Sequence, residues 1–374
     1  MKFFQNFKLK NFFLFVLFFF INIGSKEVFS ILREVEFIFI GTIILSLFLG
    51  IFFIKHSAKY TNIYVICSIF YILLLVFSFK SLDFEYGFQK AFLGLLVPLL
   101  LFRLICSKKW NEEELLKYFI LTILVINCIG ILYKIKVGLF NRSDSFGLLG
   151  SITFGWISGM GLLAMSLKRN KKLIDFLLIA FFFLMVLWTG SKGPLFAFFI
   201  IAFFFVNRIL GKKIAGKIIV IFFLIISFFF VKTYSEDIRS VRAAMSFFED
   251  PEGYTSGAGK GSIGLREYYL DYSLEIYQRN PFFGVGFGGW NDSSFIDHRY
   301  PHNIYLELLS ETGPIGILIF ILLLYNLRYR SIFGYTGIYV MICLSFSGDF
   351  SYFRYALFML LISTYLVKEH KTLK

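Results

Sequence analysis

Long apolar runs broken by short polar stretches dominate the chain. Twelve such segments can be read, at about 11–24, 35–54, 61–79, 86–106, 115–137, 144–167, 173–189, 193–208, 214–232, 303–326, 333–347 and 350–367. Most approach the ~20 residues that cross ~30 Å of hydrocarbon at ~1.5 Å rise per residue; the seventh, eighth and eleventh run short. The pattern predicts an all-α polytopic membrane protein with about 12 transmembrane helices. One polar interval is much longer than the others. The expected organisation is therefore helices 1–9 over residues 1–232, a large loop over 233–301, and helices 10–12 with a short tail over 302–374. Lys2, Lys8 and Lys10 before the first segment suit a signal peptide as well, but no small-residue cleavage site follows, and the segment is kept as a span.

Composition agrees: 58% of residues are hydrophobic, 53 are Phe and only 17% are charged, which excludes an ordinary soluble domain. Short basic loops stay in the cytoplasm, so alternate loops can be sorted by Lys and Arg. The N-terminus, the loops near 55–60, 103–117, 168–172, 208–217 and 328–330, and the C-terminal tail hold 22 of the 38 basic residues. Both termini are expected in the cytoplasm and the 233–301 loop outside. The net charge of +14 follows from these loops and does not form a nucleic-acid-binding stripe. Cys67, Cys106, Cys128 and Cys343 fall in or beside apolar segments, so no disulfide framework or metal cluster is implied.

Within the loop, Ser235-Glu236-Asp237 suits the start of a helix to about Phe248, and Pro251–Gly261 is rich in turn formers. From about Gly264, Leu265, Tyr268, Tyr269, Tyr272 and Ile276 follow helical spacing, and Asn280-Pro281 ends the run. The Tyr-rich face and Trp290 suit either interfacial anchors or platforms for sugar rings. Gly284, Gly286 and Gly289 match a bare G-x-G-x-x-G string. Without a strand before it or a helix after it, a close backbone turn accounts for it better than a dinucleotide site. Gly259-Lys260-Gly261 likewise lacks the pattern of a phosphate-binding loop.

Four polar features stand at the expected outer surface. Gly190-Ser191-Lys192-Gly193-Pro194 joins two very apolar runs; Lys192 can snorkel, or, beside small residues and a helix start, it can bind an anion. Arg266 opens the amphipathic helix. Arg354 lies about one turn into the last segment, where it either pairs with Asp349 or faces the same cavity. The fourth is Tyr300-Pro301-His302-Asn303, which puts an imidazole where the loop meets the tenth segment. His302 either caps the helix or acts as a general base.

Gly190-Ser191-Lys192, Arg266, Asn280-Pro281 with Gly284 and Gly286, His302-Asn303 and Glu311-Thr312-Gly313 together resemble, in order and spacing, the O-antigen ligase and polymerase family of bacterial envelope enzymes. The motifs cover about 190–317. The departure is Lys192 where the family usually has arginine, which loses the bidentate fork on a diphosphate. The resemblance implies a GT-C-like fold with one large extracytoplasmic loop before helix 10. It also implies residence in the bacterial cytoplasmic (inner) membrane.

The implied reaction moves a glycan from an undecaprenyl-diphosphate-linked donor to a glycan or glycolipid acceptor, with no metal, cofactor or nucleic acid. Lys192 and Arg266 would stabilise the diphosphate leaving group, and His302 would take the acceptor proton. Ser191, Asn303, Gly284, Gly286 and Arg354 would contact substrate. Membrane lipid, and a chain-length regulator or flippase, are the further partners. Polymerisation of repeat units is favoured over ligation of finished glycan. A glycolipid flippase or transporter is the third reading, but it would carry intramembrane charges or broken helices, and the unusual polar residues here gather at one surface.

Overall fold

A computed structural model describes residues 9–23, 60–107, 109–138, 146, 149–204, 262–290 and 300–372. Among these residues there are helices and no strands. They are α1 (Leu9–Ile23), α2 (Thr61–Ser78), α3 (Phe84–Ala91), a π-helical turn (Phe92–Leu96), α4 (Val97–Cys106), α5 (Glu112–Val137), α6 (Ser151–Leu167), α7 (Leu173–Trp188) and α8 (Lys192–Phe204). After these come α9 (Ser262–Arg279), α10 (Ile304–Asn326), α11 (Ile332–Leu344), a 3-10 turn (Phe350–Tyr352) and α12 (Phe353–Thr372). The second and ninth expected segments, and the expected helix from Ser235, lie outside the described residues. The amphipathic run read from about Gly264 is α9.

Five stretches are long and apolar enough to cross a bilayer: Thr61–Ser78, Phe84–Cys106, Glu112–Val137, Ile304–Asn326 and Phe350–Glu369. Four further apolar helices are shorter. Two spans are less regular than their sequences suggest. The fourth segment carries the π turn, and α10 is kinked at Gly313, whose φ of 64° and ψ of −162° precede Pro314. The proline ring removes a donor from the helix ladder, and glycine accepts the left-handed backbone that results.

The chain divides into two compact units, residues 1–119 with 270–374, and residues 120–269. In the first, α12 is the central helix; Phe353, Leu357, Phe358, Leu361 and Ile362 are fully buried. Phe18 of α1 lies 5.8 Å from Phe358 and 5.4 Å from Phe119, ring centre to ring centre. Small residues bring α11 close to α12, where Gly337 faces Leu360 and Ala356.

The loops of this unit sort to two ends. At one, Trp110 N donates to Tyr365 Oη (2.9 Å), Ile332 N to Glu112 Oε1 (2.9 Å) and Arg328 N to Thr364 Oγ1 (2.8 Å). At the other, Lys80 Nζ donates to Gly284 O (2.6 Å), Tyr86 Oη to Asp349 Oδ2 (2.7 Å) and Asn303 Nδ2 to Ser345 O (3.1 Å). The loops after α2, around 280–290, before α10 and after α11 thus meet at one end.

In the second unit, α6 packs against α7 and α8. A Cβ at Gly155 would stand 2.9 Å from Thr189 Oγ1 and 3.1 Å from Pro194 Cγ, so the glycine lets the α7–α8 junction close on α6. Ser158 Oγ donates to Asn127 Oδ1 (2.8 Å), joining α6 to α5 without an unsatisfied hydroxyl. Leu173, Ile174, Phe176, Leu177 and Leu184 are exposed on α7, as expected of a helix that faces lipid.

Candidate functional site

The glycine-rich turn after α9 is held by backbone. Val285 N donates to Ser310 O and Gly286 N to Glu311 O, each at 3.0 Å, and Phe287 N donates to Phe77 O at 3.2 Å. A Cβ at Gly284 (φ 60°) would fall 2.3 Å from the Glu311 carbonyl carbon, and one at Gly286 (φ 102°) 2.6 Å from Ser81 N. Both glycines therefore serve close approach of the turn to α10 and to the end of α2. Trp290 closes the turn fully buried, with its indole N–H on Ser273 Oγ (3.0 Å) and its ring 5.5 Å from Tyr272. Buried there, it suits neither an interfacial anchor nor a sugar platform.

Below this turn lies a cluster that sequence reasoning missed. Lys90 of α3 is fully buried, with Nζ 2.6 Å from Glu307 Oε1 and 2.6 Å from Glu311 Oε2. Glu311 also accepts from Gly288 N (2.9 Å) and Trp290 N (3.2 Å). The ammonium is further enclosed by the rings of Phe287 (4.4 Å) and Tyr86 (4.9 Å). Glu307 Oε2 is buried and has no hydrogen-bond partner among the described residues. The unusual polar residues therefore do not all gather at one surface, because these three charges sit inside apolar spans. The signal was present: a lysine inside the 86–106 run, and two glutamates four residues apart at the start of the 303–326 run, demand partners in hydrocarbon.

The start of α10 is capped by Asn303, not by His302. Asn303 Oδ1 accepts from Tyr305 N (2.9 Å) and Leu306 N (3.2 Å), which meets two otherwise orphaned donors of the first turn. His302 takes a φ of 55°, the one positive value among the described non-glycine residues. That conformation costs about 1–3 kcal/mol and persists only where neighbours over-determine it. Here Asn303 ties the step to Ser345, Pro301 is buried, and the Tyr300 ring stands edge-on 4.5 Å from the imidazole. His302 itself is partly exposed.

The other sequence-predicted residues are distributed as follows. Arg354 is buried; its guanidinium donates to Ser351 O (2.8 Å), Ile21 O (3.3 Å) and Tyr355 Oη (2.8 Å) and lies over the Tyr355 ring. Asp349 accepts from Tyr86 and from Ser351 N (3.0 Å). His302, Asn303, Gly284, Gly286 and Arg354 belong to the first unit, and Ser191, Lys192 and Arg266 to the second. Ser191 N donates to Thr189 Oγ1 (3.3 Å), Lys192 is the first residue of α8, and Arg266 is exposed on α9.

The apolar spans make this an integral membrane protein, one that gathers polar turns, a strained histidine and a buried ion cluster toward one end of its first unit. Residues 177–321, from α7 into α10, match the family model for O-antigen ligase. No curated protein matches the chain.

Proposed function

We propose that the chain is a glycosyltransferase that polymerises undecaprenyl-diphosphate-linked repeat units on the outer face of the cytoplasmic membrane, with about twelve transmembrane helices and both termini inside. The match of residues 177–321 to the O-antigen ligase family model supports a ligase or polymerase role in polysaccharide assembly. The observation that carries the mechanism is His302, held at a φ of 55° immediately before the Asn303 cap. Strained backbone that neighbours maintain is characteristic of sites where a side chain must be aimed.

In this reading His302 takes the proton from the acceptor hydroxyl as that oxygen attacks the anomeric carbon, and Asn303 orients the step. The bond to the diphosphate breaks as the new glycosidic bond forms, and attack opposite the leaving group inverts the centre. Negative charge develops on the diphosphate. Lys192 and Arg266 stabilise it without a metal ion, assisted by the N-terminus of α8, and Ser191 contacts the substrate. Gly284, Gly286 and Arg354 shape the surroundings through the turn and the end of α12. A general base contributes ~10²- to 10⁴-fold, so positioning and charge stabilisation supply the remainder.

Ligation of finished glycan to a lipid acceptor uses the same chemistry and differs only in the product that fails to form. The test is to remove the protein from its host and identify the lipid-linked material that accumulates. Single repeat units support the polymerase, lipid-linked long chains support the ligase, and no accumulated glycan overturns both. A His302→Gln protein with near-normal turnover would remove the general base.

A further inference from the structure

We infer that Lys90 is a positioning residue for the transfer proposed above: through Glu307 and Glu311 its ammonium sets the rotation of the first two turns of α10, and with it the place of the His302–Asn303 step. The inference rests on that functional reading, and the geometry goes beyond it.

Glu307 and Glu311 stand one turn apart on α10, and a single Nζ holds both. A helix gripped at two successive turns on one face can neither roll nor slide without breaking an ion pair in a site from which water is excluded. The first of these turns is closed by Glu307 N on Asn303 O at 3.0 Å, so the grip reaches the cap residue directly. Glu311 passes the same constraint to the glycine turn through Gly288 N and Trp290 N. One ammonium thus ties Trp290 to Asn303, the residue that directly follows His302.

A second feature points the same way. The π turn Phe92–Leu96 begins two residues after Lys90, and π turns inside otherwise α-helical spans recur at functional sites. It changes the phase of the helix between Lys90 and the remainder of the span, so Lys90 can face α10 while Gly94 faces Phe350. The backbone strain at His302 needs a rigid support, and this cluster supplies it beneath the Asn303–Ser345 bond.

The experiment uses the full chain in nanodiscs, with donor extracted from membranes of the host that lacks it. The double variant Lys90→Gln/Glu311→Gln removes the grip and leaves one unpaired carboxylate, Glu307, where Lys90→Gln alone would leave two. Turnover should fall ~10²-fold, as a misplacement of about 1 Å produces, while the donor KM changes less than roughly threefold. The carbethoxylation rate of His302, read on its peptide by mass spectrometry, should change with it. Near-wild-type turnover in the folded double variant overturns the inference, as does lost turnover with unaltered His302 reactivity. If the double variant does not fold, Glu307→Asp shortens one arm while keeping every charge, and the same two readings apply to it. His302→Ala measured in parallel separates the two ideas. Full turnover there overturns the proposed function, whereas an inactive His302→Ala beside an active double variant overturns only the role of Lys90.

Discussion

Lys90 Nζ lies 2.6 Å from Glu311 Oε2 with neither side chain exposed to solvent, and this pair joins α3 to α10 beneath the glycine-rich turn. Glu311 is saturated: besides the ammonium it accepts two backbone amides. Glu307 is not, since its Oε2 has no partner among the described residues.

That difference predicts unequal responses to the same substitution. Glu311→Gln turns an amide NH₂ toward the ammonium or the backbone N–H groups, a donor against donors, and should cost about 1–3 kcal/mol, the ammonium itself staying paired with Glu307. Glu307→Gln keeps an oxygen toward Lys90 and puts its NH₂ where no donor is met, so its cost should be clearly smaller. Thermal unfolding in detergent monitors both, and equal losses would contradict the assignment of roles.

At His302 stability and activity should separate. Glycine accepts a φ of 55° freely, whereas alanine does not, so His302→Gly should be more stable than His302→Ala by about 1–2 kcal/mol. Both should be inactive. A His302→Gly protein that unfolds no later than His302→Ala would mean that the backbone there is not strained.

Gly284→Ala should destabilise the protein more than a left-handed alanine alone would, about 1–2 kcal/mol, because its Cβ also overlaps the backbone of Glu311. Fluorescence-detected size exclusion after heating provides the measurement. A melting temperature equal to that of the parent would show that the turn can lift from α10 at little cost.

If Lys192 neutralises a diphosphate, Lys192→Arg should keep donor use and Lys192→Ala should lose ~10-fold or more in kcat/KM. Steady-state rates with lipid-linked donor decide it. Equal rates in all three proteins would remove the residue from the site.

Orientation is tested in a cysteine-free background, in which Ser256→Cys should react with an impermeant thiol reagent in intact cells and a cysteine at the C-terminus should not. The reverse pattern would invert the topology.

The sequence determined the class of this protein, because hydrocarbon imposes its requirement on every residue of a span and so writes itself as composition and run length. Basic residues bias each loop locally, and so carry the expectation of which short loops share a side. The order of Gly190-Ser191-Lys192, Arg266, the glycine turn and His302-Asn303 was legible for the same reason: motifs are contiguous. Only tertiary structure decided the partners. Lys90 and Glu311 are separated by most of the chain, and no local pattern states that they meet. Likewise Gly284 reads as a turn glycine, but its reason lies in the carbonyl of Glu311, and Trp290 reads as an interfacial anchor or a sugar platform until Ser273 and Tyr272 enclose it. The kink at Gly313 and the π turn after Lys90 were hidden because an apolar run records burial in the membrane, not the backbone path by which a helix meets its neighbours.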